Sequence, residues 1–377
     1  MSRSLNEYVT LGRSGLRVSP LSLGTMTFGT EWGWGSEEDV ARSVFNSYID
    51  AGGNFLDTAN VYTEGRSEDL VGKFIDERGL REQVVLATKF TFNPQPGNPN
   101  AGGNGRKNIY RSVEDSLRRL KTDYIDLYWL HAWDTVTPVE EVVSTLNDLI
   151  RTGKIRYYGF SDTPAWYVAR AKTIAEQDRH DGLIALQLEY SLVERNIERE
   201  HIPAAQELGL GITPWSPLAG GFLTGKYQQQ GDTGEGAGRL QIAKDSGNPI
   251  FERFTSRNWQ ILKVLLDVAK KIDRRASQVA LNWVTTQPGV TSTIIGASKL
   301  AQLEDNLRYA EFEIPAELRK QLDEVSAIEL VHPYGFFNPQ FQGWISGATG
   351  LRPWAPARVY AEPALELVTA RAAAASD

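Results

Sequence analysis

The chain has 377 residues, 41% of them hydrophobic and 23% charged, with 34 Gly and 17 Pro. That is a globular composition, and it excludes a collagen-like, coiled-coil or disordered chain. A net charge of −7 argues against a basic face that would grip nucleic-acid phosphates. The chain holds no Cys, which excludes disulfides, thiol catalysis and Cys-based zinc or iron–sulfur sites.

Four His, at 131, 180, 201 and 332, have no paired spacing, so a metal site has poor support. The opening MSRSLNEYVTLGRSG has no apolar core of the secretory kind, and no stretch approaches ~18 consecutive apolar residues. A cytoplasmic protein acting on a small molecule, without a membrane or nucleic-acid partner, is the expectation. The length allows two or three domains of roughly 100–200 residues each, or one large α/β barrel.

In chain order, short apolar runs predict strands at 21–24, 54–59, 84–90, 124–131, 155–161, 183–190, 210–215 and 293–296. Amphipathic stretches between them predict helices at 37–51, 67–78, 108–120, 138–152, 164–177 and 198–208, then a pair at 257–272 and 276–287. Ser67-Glu68-Asp69 predicts the opening of one helix, and Thr137-Pro138-Val139-Glu140 places Pro in the first turn of another. Strands rich in Val, Ile, Leu and Tyr that alternate with helices mean parallel βαβ units. Eight of them predict a (β/α)8 barrel, an α/β TIM barrel over residues 1–330. The competing open doubly wound sheet usually shows G-x-G-x-x-G after its first strand. Here Thr25-Met26-Thr27-Phe28-Gly29 follows instead, and the barrel is preferred.

Two regions depart from the repeat. Residues 220–249 form a long Gly-rich connection after strand seven, a length that is usually functional or disordered. A C-terminal extension, 331–377, carries Phe336, Phe337, Phe341, Trp344 and Trp354; it either caps the barrel mouth or packs on its side. The end from Arg371 is expected to be frayed.

Reactive groups of such barrels stand at the C-terminal ends of strands. The polar residues that end the apolar runs are Asp57, Lys89, His131, Ser161 with Asp162, and Gln187, and Tyr62 follows Asp57 on the same loop. A Tyr hydroxyl, with a reference pKa of about 10, is a poor proton donor at neutral pH. A nearby Lys ammonium favours the phenolate and brings that pKa toward the working range. Asp57 would hold Lys89, and His131 would orient a carbonyl oxygen. Each residue alone has a blander reading: a turn Asp, a loop aromatic, a snorkelling Lys, a core His. Three strand ends converging on one mouth, with Tyr62 beside the first, reverse that preference.

The chain resembles the aldo-keto reductases across roughly residues 8–330. The segments that carry the resemblance are Leu23–Met26, Gly53–Ala59 leading to Tyr62, Ser67-Glu68, Ala87-Thr88-Lys89, Asp126–His131, Gly159-Phe160-Ser161, Trp215-Ser216-Pro217-Leu218 and Ile295–Ser298. The resemblance implies a barrel that uses NADPH without a Rossmann domain, with Tyr62 as general acid, Lys89 as its activator, Asp57 as partner of Lys89, and His131 as carbonyl orienter. Thr25, Met26 and Asp57 would border the cofactor.

The family's Ser-Asn pair and Gln, which hold the nicotinamide, correspond to Ser161, Asp162 and Gln187. Asp162 departs from that pattern, because a carboxylate accepts where an amide also donates. Trp215 matches the aromatic that stacks on the nicotinamide. Ser216, Pro217, Leu218, Gly220 and Lys226 match the pyrophosphate segment, and Arg239 belongs to the loop that clasps it. Gly296, Ser298, Lys299 and Gln302 match the region of the adenosine 2′-phosphate, and Asp305 and Asn306 the adenine edge. NADPH is thus favoured over NADH.

The run Gly220–Lys226 reads G-x-x-x-x-G-K, but Tyr227 follows where a nucleotide-hydrolysing P-loop needs Ser or Thr for Mg²⁺. Trp32, Trp34, Phe90, Trp133 and the tail aromatics are candidates to line an apolar cleft, which suits a bulky or aromatic carbonyl compound. The β-subunits of voltage-gated potassium channels share the barrel but typically carry Asn where this chain has His131. A cofactor-sensing module with very slow turnover is therefore the alternative. An unrelated barrel lyase or isomerase would need a general base and would leave the adenosine pattern unexplained.

Overall fold

A computed structural model describes residues 4–179, 182–230, 233–236, 240–241, 252–347 and 349. Eight strands run parallel in one sheet: β1 Leu21–Gly24, β2 Phe55–Asp57, β3 Val85–Phe90, β4 Ile125–Leu130, β5 Ile155–Ser161, β6 Leu183–Glu189, β7 Gly211–Trp215 and β8 Thr293–Ile295. β8 pairs with β1 through Thr293 opposite Leu21. The remaining seam between β7 and β8 is bridged by Ile212 and Val290, which makes the nearly closed (β/α)8 barrel that the alternation predicts. Helices α1 Glu38–Asp50, α2 Arg66–Arg78, α3 Arg106–Leu120, α4 Val139–Arg151, α5 Ala165–Gln177 and α6 His201–Leu208 follow the first six strands. Ser256–Lys271 and Ala276–Thr285 precede β8, and Leu300–Leu307 and Ala316–Val325 follow it.

Alternation along each strand divides the core in two. Outward side chains such as Leu56, Leu86, Tyr128, Leu130 and Phe160 meet the helices, while Phe55, Val85, Ala87, Leu127, Trp129 and Ala185 fill the barrel interior. Trp129 takes up so much of the interior that its neighbour has to be Gly: a Cβ on Gly159 would come 2.2 Å from the indole. Leu11 and Val18 join that interior cluster. They come from a two-stranded hairpin, Val9–Thr10 with Arg17–Val18, that plugs the N-terminal end of the barrel. Two-residue strands leave no periodicity in a sequence, and the plug was not among the elements expected.

Ser67 does not cap a helix. α2 opens from Gly65 without a side-chain cap, and the Ser67 hydroxyl donates instead to Thr25 O at 2.7 Å. The long connection begins with a tight turn, Ala219–Thr224, and continues in a hairpin, Gln228–Gln230 with Thr233–Glu235. Past the barrel, Arg199 Nη2 donates to Glu329 O at 2.8 Å and the Tyr334 hydroxyl to Glu200. These contacts seat the extension beside the start of α6. Its short helix Pro339–Ile345 buries no residue, and Phe336, Phe341 and Trp344 pack on one another. Trp354 and Arg371–Asp377 lie outside the described residues. No helix among the described residues is long and apolar enough to cross a membrane.

Candidate active site

The inward parity of β2, β3 and β4 delivers Asp57, Lys89 and His131 to one mouth, at the C-terminal ends of the strands. Lys89 is fully buried and Asp57 nearly so. All three N–H donors of the ammonium are used: one forms an ion pair with Asp57 Oδ1, one goes to Thr58 O at 2.8 Å, and one to the Tyr62 hydroxyl at 3.1 Å. Gln187 Nε2 donates to the other Asp57 oxygen at 2.9 Å. Burial alone would push the Lys89 pKa down, but the Asp57 carboxylate and the Tyr62 oxygen outweigh it and hold the pKa above the ordinary lysine value.

Tyr62 begins a turn in which Thr63 and Glu64 have φ of 47° and 57°. A non-Gly residue pays of order 1–2 kcal/mol in that region, so the turn has to be held by other contacts. The buried Thr63 hydroxyl provides them, donating to Phe28 O at 2.8 Å and accepting from Ser67 N at 3.1 Å.

The His131 ring lies 5.7 Å from that of Tyr62, edge to face, and Nδ1 is buried without a protein partner. Burial first, and then the charge of Lys89, push its pKa well below 6.5, so the imidazole is neutral at pH 7. The unfolded chain binds a proton there below about pH 6.5, whereas the folded chain does not. Stability from this residue is therefore present above pH 6.5 and is lost as the pH falls below it. The denaturant midpoint should drop between pH 7 and pH 5, and His131→Gln should lose part of that slope. An unchanged slope in the variant would show that His131 is not the group responsible.

Asp162, just past β5, adopts φ 45°. Its Oδ1 accepts from Trp215 Nε1 at 3.2 Å and its Oδ2 from Ser161 Oγ at 3.3 Å. Asp162 is exposed at the mouth; desolvation by the protein around it, with the Glu189 charge adding to the effect, raises its pKa to about 7. Glu189 at the end of β6 is itself paired with Arg253.

After Trp215 the chain turns through Ser216, Ala219, Gly220 and Gly221, all at positive φ. A Cβ on Gly221 would sit 2.9 Å from Lys226 Nζ, so glycine leaves the seat into which the lysine folds. Pro217 is buried, and Leu218 packs on the core. Arg239 lies outside the described residues. Beyond β8, Gln302 Oε1 accepts from Ser298 N at 2.9 Å. Gly296 and Lys299 are exposed beside them.

Several expected contacts fall elsewhere. Phe90 follows the inward Lys89 by one residue, so alternation turns it outward. It is fully buried among the helix-facing residues, against Tyr128, and does not line the mouth. Phe92 does: its ring is 4.6 Å from that of His131, and it is about half exposed. It lies beyond the strand end, past Thr91 at φ 106°, where the alternation that turns Phe90 outward no longer applies, and it was missed. Asp305 accepts from Ser277 Oγ and Gln278 Nε2, both at 2.9 Å, and thus closes the start of helix Ala276–Thr285 rather than presenting free oxygens to an adenine. Asn306 is buried. The Thr25 hydroxyl bonds Asp57 O at 3.1 Å and Ser67 at 2.8 Å, tying two loops together beneath the mouth, and Met26 is half-buried beside it. Trp32 stands edge-on to Tyr62 at 6.3 Å with Trp34 behind it, and Trp133 packs on Trp166 at the rim.

Residues 20–327 match the family model described as the Aldo/keto reductase family. An uncharacterized oxidoreductase of Bacillus subtilis, YrpG, is 37% identical over 329 residues, covering 85% of this chain and 95% of that one. An aryl-alcohol dehydrogenase (NADP(+)) of Phanerodontia chrysosporium is 32% identical over 336 residues, 86% of each chain. A probable voltage-gated potassium channel subunit beta of rice, Oryza sativa, is 36% identical over 325 residues, 85% of this chain and 96% of that one. An oxidoreductase of the aldo/keto reductase family, a class that in general uses nicotinamide cofactors, is what this chain encodes.

Proposed function

We propose that the protein reduces an aldehyde or ketone to an alcohol, reversibly, with NADPH as donor, and that Tyr62 is the general acid. The observation that carries this is the Lys89 ammonium, held between Asp57 and the Tyr62 hydroxyl at 3.1 Å. The residues around it fit a nicotinamide dinucleotide. Trp215 offers an aromatic wall, Ser161 and Gln187 flank it, and the Gly221 seat beneath Lys226 brings a cation to backbone that a phosphate can approach closely. Ser298, Lys299 and Gln302 stand at the start of helix Leu300–Leu307, where the dipole favours the extra phosphate of NADPH over NADH.

When bound, the cofactor supplies hydride to the carbonyl carbon. The developing oxyanion meets the Tyr62 O–H, which transfers its proton, and Lys89 stabilises the phenolate left behind. Asp57 keeps the lysine in place and charged, while the neutral His131 hydrogen-bonds the carbonyl oxygen without competing for the proton. Trp32, Phe92 and Trp133 around the mouth suit an apolar, aromatic carbonyl compound.

NADPH oxidation against a panel of aromatic and aliphatic aldehydes and ketones tests this, with NADPH affinity measured separately. Turnover strongest on aromatic aldehydes is expected. Tight binding without turnover would favour the second reading, a cofactor sensor, which the similarity to the rice channel subunit supports.

A further inference from the structure

Strand β3 ends at Phe90, and the next residue, Thr91, has φ 106°. The other non-glycine residues with positive φ among the described residues lie between 45° and 66°, close to the small left-handed region open to L-residues. Thr91 lies well outside it, and its β-branched side chain makes that conformation costlier still. Glycine would adopt it freely. What the threonine adds is a buried hydroxyl with two partners: Oγ1 donates to Asn104 Oδ1 at 2.6 Å and accepts from His131 N at 3.2 Å. Gly103 N donates to Thr91 O at 2.7 Å, so side chain and main chain both hold the turn. Asn104, fully buried, completes the tie. Its Nδ2 donates to Ala132 O at 2.9 Å and its main-chain N–H to Asp134 Oδ2 at 2.8 Å. The loops after β3 and β4 are thereby clasped together on both sides of the His131 main chain.

Two consequences reach the mouth. In a continued strand Phe92 would face outward with Phe90; the turn at Thr91 instead sets its ring against that of His131, 4.6 Å between centroids. The His131 ring, whose Nδ1 is buried without a protein partner, takes its orientation from its main chain and from the rings of Tyr62 and Phe92 beside it. Resting on the reading of this mouth as a carbonyl-reducing site, we propose that Thr91, locked by Asn104, is a positioning residue: it fixes the His131 main chain and the Phe92 ring as one wall, and thereby the place of the carbonyl oxygen against the Tyr62 hydroxyl. Thr91 acts through His131 and Phe92 rather than on the substrate. An imidazole that is displaced still meets a carbonyl, but out of line with the acid, so loosening the clasp slows the chemical step and spares cofactor affinity.

Three substitutions separate the parts of this argument. Thr91→Val keeps the shape and removes both side-chain hydrogen bonds, Thr91→Ser keeps the hydroxyl, and Thr91→Gly removes the hydroxyl while relieving the backbone. Single-turnover hydride transfer from NADPH to an aromatic aldehyde, beside an NADPH titration and a denaturant melt, reads all three. Thr91→Val and Thr91→Gly should each slow transfer by about 10- to 100-fold, the scale of an ångström-sized misplacement, with NADPH affinity unchanged. Thr91→Ser should restore most of the rate. Because the effect passes chiefly through His131, most of the loss from Thr91→Val should vanish in a His131→Ala background. Transfer at the wild-type rate in the folded Val or Gly variant, whatever the melt shows, overturns the proposal and leaves the clasp a part of the fold alone. So does a loss of full size in the His131→Ala background. Thr91→Gly decides alone if Thr91→Val does not fold. Either overturning result, with the wild type turning over, leaves the reductase reading standing. A wild type that binds NADPH and transfers hydride to no aldehyde or ketone removes both.

Discussion

Tyr62→Phe should lower kcat for a carbonyl substrate by on the order of 10³, within the 10²–10⁴ that a positioned acid contributes. The change removes one oxygen. The ring remains between Trp32 and His131, and the turn stays held through Thr63. Lys89 loses one of three acceptors but keeps Asp57 and Thr58, so the ammonium remains paired. NADPH affinity should therefore stay within about a factor of two, and thermal stability should move by about 1 kcal/mol or less, the net worth of one hydrogen bond. A steady-state assay beside a binding titration separates the effects. Equal turnover in the variant would remove Tyr62 as the acid. A parallel loss of binding would instead make its role that of a cofactor contact.

How much of this was legible beforehand depends on what kind of signal each feature leaves. Strand ends are a strong signal in a barrel: Asp57, Lys89 and His131 stood out as polar residues ending apolar runs, and the alternation along β2, β3 and β4 turns them to the inner face. The same alternation should have turned Phe90 outward, because consecutive residues of a strand cannot both face the mouth; Phe92, beyond the strand end, was the accessible aromatic. Tyr62 lies on a turn with no period at all, and its position follows from family resemblance and from backbone strain at Thr63 and Glu64, which no composition reveals. The hairpin plug, with two residues per strand, is below the length at which any period can be read. Asp305 illustrates a different limit. A carboxylate in the last turn of a helix is equally consistent with a ligand contact and with closing a neighbouring helix, and only the third dimension brings Ser277 and Gln278 to it.

Lys89→Met should cost both the fold and the chemistry, and the two losses can be told apart. Removing the ammonium leaves Asp57 as an enclosed carboxylate with Gln187 as its one remaining side-chain donor among the described contacts. Breaking one side of a buried pair typically destabilises by about 3–5 kcal/mol, because the surviving charge has lost its compensation. The lysine pKa is held above 10.5 in the folded chain, so its contribution is complete below the unfolded value. It is lost only as the pH rises through the folded one, and the deficit of the variant should be constant from about pH 7 to pH 10. Replacing both partners, as Lys89→Met with Asp57→Leu, removes the orphaned charge and should recover most of that stability. It should recover none of the turnover, since nothing then stabilises the Tyr62 phenolate. Denaturant melts and initial rates on the two variants give the decisive comparison. If the double variant is no more stable than the single, the cost is lost packing around the lysine stem rather than an unpaired carboxylate. If the single variant keeps wild-type turnover, Lys89 has no part in activating Tyr62, and the 3.1 Å contact between them is structural alone.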